Sequence, residues 1–336
     1  MRSIQTASIL IQNLSVPCFN HCRYCLLSWD GKEVGAPWER GVALAERYIT
    51  ELTEARPQVS VSFAFGYSME HPALPEALRT LRRLGSPTAD FLQCDGMAMR
   101  DAAECGELMW MLKAAGIKRL NFTVYGLSAY HDRFAGRRGD FDLLFRMMRA
   151  ADAAGIPFST GIPITKENIK DADELIHSLK EIGNEKVSLF IPHEEGRGKA
   201  LASVRLEQQD LSALSPEALS LLNRTLYRTE SEWLSDPDPV QVTRRLILIS
   251  LRADNIEQYE KRSALSVLAE IEALDEAYYA AFPAFHELAG TYGDPKGDRL
   301  YRIRDLYHHY RSLYAADHHL EVYDVTDERY SGSRRY

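Results

Sequence analysis

Six apolar stretches rich in β-formers recur near residues 7–13, 59–65, 89–93, 118–124, 157–162 and 186–191, and an amphipathic helical stretch separates each from the next. The helical stretches lie near 39–56, 73–84, 101–115, 140–154 and 170–182, with Gly85, Gly116, Gly155 and Gly183 where helices should end. Strands joined through helices of this length pair in parallel, each crossover helix covering the sheet. The fold class this rhythm predicts is α/β, with a parallel sheet either closed as a barrel or open and doubly wound. In either form function belongs at the C-terminal ends of the strands.

The rhythm stops near residue 200. Ser215-Pro216-Glu217 reads as a helix start, Thr243 to Leu251 as one strand, and two long helices follow near 256–281 and 298–315, separated by the breaker-rich stretch Gly290 to Gly297. The tail, Leu320 to Tyr336, holds one further strand and a frayed end. The expected division is a core over 1–199 and a mostly helical unit over 200–336 that caps the barrel and shapes the substrate site. Its tyrosines and histidines, such as Tyr301, Tyr307, His308 and His309, read as half-buried packing residues.

A net charge of −8 gives no global basic field, so nucleic acid is not an expected partner. Apolar runs such as Val59 to Gly66 fall far short of a membrane span, and Met1-Arg2-Ser3 leads into a strand instead of a signal-peptide core. The expectation is a cytoplasmic protein without a membrane partner.

Five cysteines crowd toward the N-terminus: Cys18, Cys22 and Cys25, then Cys94 and Cys105, and none beyond. That placement is no disulfide framework. Cys18, Cys22 and Cys25 form a C-x3-C-x2-C spacing on the loop after the first strand. Three thiolates this close can hold three irons of one cubane cluster and leave the fourth iron open. The alternative is a structural zinc completed by His21 or a distant residue, although zinc sites normally split into two separated ligand pairs and no second pair exists here.

With Tyr24 before the third cysteine, this loop resembles that of the radical S-adenosylmethionine (SAM) superfamily, and the likeness runs from residue 7 to about 199. The resemblance implies a partial (β/α)6 barrel, a 4Fe-4S cluster held by Cys18, Cys22 and Cys25, and SAM chelating the fourth iron, with Tyr24 among the cofactor-binding residues. Where the family carries Gly-Gly-Glu-Pro, this chain has Phe65-Gly66-Tyr67-Ser68-Met69-Glu70-His71-Pro72. Gly66 keeps the second glycine and Tyr67 stands in place of the Glu. The resemblance then gives the SAM ammonium to the carbonyls of Phe65 and Gly66 and to the carboxylate of Glu70, which reads equally as a carboxylate favoured by a helix N-terminus.

Cys94-Asp95-Gly96 is similar to the family's Thr-Asn-Gly turn. The segment from Leu120 to Gly126, with His131-Asp132-Arg133 and Gly139-Asp140-Phe141-Asp142, is similar to its Ser-x-Asp-Gly, His-Asp and Gly-x-Phe-Asp signatures. Thr123 matches the hydroxyl residue facing the SAM carboxylate or ribose, Tyr125 replaces an Asp, and Asn121 shares the face of Thr123 by period two. Asn168, in Thr165-Lys166-Glu167-Asn168, is expected to order its turn. Ile191-Pro192-His193-Glu194-Glu195-Gly196-Arg197-Gly198 resembles the family's adenine-contacting segment, which gives Pro192 to adenine and lets Arg197 clamp a carboxylate or phosphate.

The implied activity is reductive cleavage of SAM to methionine and a 5′-deoxyadenosyl radical that abstracts hydrogen from a substrate, a peptide or amino-acid-like molecule. Two alternatives stay open: the same chemistry on a nucleotide or small metabolite, and a non-catalytic SAM- or zinc-binding scaffold. An electron donor such as flavodoxin or ferredoxin is an implied partner. Cys94, read as lying at the barrel mouth, is a candidate hydrogen-atom donor. The absence of cysteines after Cys105 excludes thiolate-held auxiliary clusters.

Overall fold

The computed structural model describes residues 8–13, 18–25, 35–65, 68–86, 89–184, 186–194, 196–239 and 246–321. Strands β1 (Ser8–Asn13), β2 (Ser60–Phe65), β3 (Phe91–Gln93), β4 (Arg119–Thr123), β5 (Phe158–Pro163) and β6 (Lys186–Phe190) alternate with helices α1 (Trp38–Ala55), α2 (Leu74–Arg83), α3 (Ala102–Ala114), α4 (Ser128–Ala135), α5 (Asp140–Ala154) and α6 (Ala172–Glu181). The helix stops are the expected ones: Gly85, Gly116, Gly155 and Gly183 all adopt positive φ, a conformation that costs glycine nothing. Helix α3 is opened by a reciprocal cap in which Asp101 accepts from the Glu104 amide and Glu104 from the Asp101 amide.

Every strand pair in this core is parallel. One sheet runs β3-β4-β5-β6. The other has β1 at its centre, with β2 on one side and β8 (Leu246–Leu251) on the other, and β1 pairs along its full length with both. The late strand therefore lies beside the first, well past the expected boundary at residue 199. This is a partial α/β barrel, with helices packed outside it. Its core runs continuously from Ile9 and Ile11 through Phe63, Leu92, Leu120 and Phe122 to Ile247 and Ile249.

The C-terminal part is mostly helical, comprising α7 (Pro216–Ser220), α8 (Glu230–Leu234), α9 (Ile256–Glu260), α10 (Ala264–Ala280), α11 (Phe285–Tyr292) and α12 (Ile303–Asp317), with β7 (Arg228–Thr229) and β9 (Leu300–Tyr301) paired antiparallel. The single helix expected over 256–281 is two, because the Ser263 side chain accepts from the Ser266 amide and starts a new helix there. The strand expected in 320–336 falls almost entirely outside the described residues. A second apolar cluster, with Trp233, Phe285, Leu288, Leu306 and Tyr310, holds this part together. Arg205 clasps it to the barrel, donating to the carbonyls of Leu300 and Pro192. Among the described residues no helix is long and apolar enough to cross a membrane.

Candidate active site

The three-cysteine loop follows β1 in the chain and is tied to the turn after β3, to the end of helix α4 and to the turn after β6. The Phe19 amide donates to the Gly96 carbonyl after β3 (2.8 Å), and the His21 and Arg23 amides donate to Ala135 and Phe134 at the end of α4 (2.7 and 2.9 Å). Beyond β6, the Arg197 amide donates to the Cys25 carbonyl and its Nε to the Cys22 carbonyl, both at 3.0 Å. Arg197, expected to clamp a substrate anion, thus clasps the loop itself. Gly198 beside it has no room for a side chain, since a Cβ there would stand 2.1 Å from the His193 carbonyl oxygen.

Beneath the loop lies a buried polar mount. Asn20 donates to Asp140 Oδ2 (2.9 Å) and His131 Nε2 lies 3.0 Å from the same oxygen. The Tyr125 amide donates to His131 Nδ1 (3.0 Å), so the imidazole proton sits on Nε2 and points at Asp140. Asp132 accepts the Gly139 and Phe141 amides at the start of α5. The His-Asp and Gly-x-Phe-Asp signatures therefore build the support of the loop.

Cys18 is buried, and a Cβ at Gly96, whose φ is +63°, would meet its sulfur at 2.1 Å. Cys22 Sγ stands 3.0 Å from the Tyr125 hydroxyl. Burial pushes the Cys22 thiol well up against the lowering effect of that hydrogen bond, and the nearby charges of Cys18, Asp95 and Cys25 push the same way. Among the described residues no three Cys, His, Asp or Glu side chains stand close enough together to hold a metal ion. The donor set nevertheless suits a thiophilic cluster: three thiols of one loop, with the charges of Cys18 and Cys25 both felt at Cys22 and glycine making room for the first. A bound cation reverses the burial effect, since a coordinating thiol gives up its proton outright.

The strand register sets a row of polar side chains across the four-stranded sheet. Gln93 pairs with Asn121 and Asn121 with Ser159; Asn121 Nδ2 donates to Gln93 Oε1 (2.7 Å) and Ser159 Oγ to Asn121 Oδ1 (2.8 Å). One level on, Asp95 accepts from the Thr123 amide and hydroxyl, both at 2.8 Å, and from Gln93. Asn121 and Thr123 share one face as expected, but their side chains are engaged with this network. Burial pushes the Asp95 carboxyl up to about 6 in spite of these bonds. Among the described residues no cation pairs with it.

The remaining sequence-derived residues distribute unevenly. Tyr24 packs against Tyr125, Phe134 and Phe190 at ring separations of 5.6, 5.9 and 6.2 Å, an aromatic wall behind the loop. Asn168 orders its turn, accepting from the Thr165 amide and donating to the Tyr125 and Pro163 carbonyls. Pro192 is buried, its carbonyl taken by Arg205. Phe65 ends β2, while Gly66 and Tyr67 lie outside the described residues.

Two expectations are corrected. Glu70 is not open to an ammonium: its carboxylate forms a two-point pair with Arg100 (2.7 and 3.0 Å) and accepts the Ala98 amide. Cys94 is fully buried in the helix-facing core, its Sγ directed to the Leu92 carbonyl at 3.8 Å, because period two puts residues 92 and 94 on the face opposite Gln93 and Asp95. Sequence reasoning passed over Asp95, Gln93, Ser159, Asn20 and the Tyr125 hydroxyl. Asp95 and Tyr125 were visible as departures from the family pattern, whereas nothing local marked Asn20.

A parallel partial barrel with a three-cysteine loop at the end of its first strand is the architecture of iron–sulfur proteins that use SAM. A model described as Radical SAM superfamily matches residues 13–179, and the chain belongs to that superfamily. Membership implies SAM and an iron–sulfur cluster. No protein of curated function matches the chain in sequence. Among solved structures it is similar to Streptococcus suis SuiB bound to S-adenosylmethionine (14% identity, TM-score 0.49, covering 73% of this chain and 59% of SuiB). It is also similar to anSMEcpe with bound AdoMet and Cp18Cys peptide (16%, TM-score 0.41, 62% and 57%). A third likeness is to the Escherichia coli coproporphyrinogen III oxidase HemN (13%, TM-score 0.42, 75% and 64%). The chain spans about three fifths of the length of SuiB.

Proposed function

We propose that this chain is a radical SAM enzyme acting on a peptide or amino-acid-like substrate, with Cys18, Cys22 and Cys25 as the protein ligands of one 4Fe-4S cluster. The observation that carries the reading is the three-cysteine loop itself, tied to the ends of β3 and α4 and to the turn after β6, within a chain of this superfamily. When bound, the cluster supplies SAM with the electron that releases a 5′-deoxyadenosyl radical.

The chain's own residues bind, orient and shield. Asp95 places beside the thiol loop a carboxylate that has no cationic partner among the described residues, where the positive charge of SAM offsets it; it takes the part that Tyr67 cannot play and that Glu70, held by Arg100, does not. The ring packing of Tyr24, Tyr125, Phe134 and Phe190 keeps water from the loop's inner side. Gln93, Asn121 and Ser159 offer a hydrogen-bonding row able to hold a polar substrate.

The test is anaerobic reconstitution followed by iron and sulfide counts, SAM calorimetry and assay of 5′-deoxyadenosine after dithionite. Four irons and a product abolished by Cys22→Ala support the reading. Zinc in place of iron, or no cleavage, sinks it in favour of a scaffold.

A further inference from the structure

A cavity of about 240 Å³ opens where the barrel meets the cap, between the segment after β6, which supplies Glu194 and Lys199, and α12, which supplies Asp305, His308, His309 and Ser312. The spacing of the four α12 positions lays them along one stripe of the helix. None of the lining comes from the cysteine loop or from the polar row. Arg197, which clasps that loop, nevertheless lies between Glu194 and Lys199 in the chain.

Most of the polar groups here already have partners. Asp305 Oδ2 lies 3.0 Å from His193 Nδ1, His308 Nε2 lies 3.4 Å from the Ser312 hydroxyl, and Glu194 Oε2 lies 3.4 Å from His309 Nδ1. Two groups differ. Glu194 Oε1 is buried and accepts no hydrogen bond among the described residues; Arg205 Nη1 lies 3.5 Å away but donates to the Pro192 carbonyl. Lys199 is exposed, and among the described residues it stands within ion-pair distance of no carboxylate.

A buried carboxylate oxygen without a donor destabilises the fold until a donor reaches it. An ammonium supplies the hydrogen bond and meets the charge as well, while the lysine complements an anion. A ligand that carries one group of each kind satisfies both. The cavity is smaller than the roughly 300–1,000 Å³ of pockets that enclose drug-sized molecules, which favours a single amino acid over a longer peptide.

We propose that this cavity binds a free amino acid, its ammonium at Glu194 Oε1 and its carboxylate at Lys199. The binding stands on the cavity alone. That the bound amino acid is the substrate rests on the radical SAM reading, whose substrate class it narrows.

The experiment screens the common free amino acids against the full chain by saturation-transfer NMR, before and after cluster reconstitution. Saturable binding by at least one is expected. Its N-acetyl form, which lacks the ammonium, should bind about tenfold or more weakly, and its amide, which lacks the carboxylate, about threefold more weakly. Lys199→Met, an exposed substitution that leaves the fold intact, should weaken the free amino acid about threefold and leave the amide unchanged. Glu194→Gln should weaken the free amino acid about tenfold or more and leave the N-acetyl form unchanged. No saturable binding, blocked forms that bind equally well, or a Lys199→Met protein that binds like wild type would each overturn the site. With SAM and dithionite the bound amino acid should raise release of 5′-deoxyadenosine, and binding without that rise overturns its role as substrate. Zinc in place of iron in the reconstituted wild type sinks the radical SAM reading instead and leaves the binding in place.

Discussion

The Tyr125 hydroxyl stands 3.0 Å from the Cys22 sulfur, across 103 positions of sequence. Burial raises the thiol and this bond opposes it. In cluster-free protein Tyr125→Phe is expected to slow alkylation of Cys22 about fivefold, the equivalent of one hydrogen bond of about 1 kcal/mol. Mass spectrometry of iodoacetamide-treated protein measures the rate, and an unchanged rate would show that the contact does nothing for the thiol.

Asp95 should be felt in SAM binding before any chemistry occurs. Asp95→Asn is expected to weaken SAM binding at pH 8 by about tenfold or more, as for a hydrogen bond to a charged group worth about 1.5–3 kcal/mol. Methylthioadenosine, which lacks both the amino acid and the positive charge, should bind the two proteins alike. Anaerobic calorimetry reads both ligands, and equal SAM affinity would remove Asp95 from the site.

The mount of the loop makes a prediction about stability. In Asp140→Asn the oxygen that meets both Asn20 and the His131 proton becomes one end of a neutral amide, and one of the buried donors goes unmet. The cost is about 1–3 kcal/mol. Urea unfolding of the full chain should show a lower midpoint with an unchanged slope, and a midpoint equal to wild type would mean that the buried network does not hold the loop.

The junction of barrel and cap has its own pH dependence. Burial pushes the Asp305 carboxyl up, but the charge and hydrogen bond of His193, 3.0 Å away, with Arg205 and Arg304, outweigh it and hold the group below its usual value. A depressed carboxylate stabilises the fold above its unfolded pKa, near ~4, and that contribution disappears as pH falls through the folded value. Unfolding midpoints should therefore drop steeply below about pH 4 in the wild type. Asp305→Asn should flatten that acid limb while lowering the midpoint at neutral pH, and a parallel pair of curves would contradict this account.

The alternation of the core was legible because its signals are local. Strand periodicity and helix-ending glycines fix β1 to β6 nearly to the residue, and a strand near Leu246–Leu251 was equally readable. Its place beside β1 was not, since pairing across the whole chain leaves no mark in either segment. Helix α4 was missed because Ser128–Ala135 is short and polar on much of its surface. The cysteine loop stood out by spacing alone. Cys94 was misplaced although period two from Gln93 would have turned it toward the helices, whereas the engagement of Glu70 by Arg100 could not be foreseen from residues thirty positions apart.

The pairing of β8 with β1 also bears on how the protein is made. Strand β1 leaves the ribosome more than two hundred residues ahead of β8, its second neighbour. At about 5–20 residues per second that interval is roughly ten to fifty seconds. Throughout it, one edge of the strand that carries the thiol loop is unpaired, open to wrong strands and to oxidants alike. The newborn chain thus carries its three-cysteine loop already synthesised while its sheet is unfinished, and any group assembled on those thiols during translation would rest on an incomplete sheet.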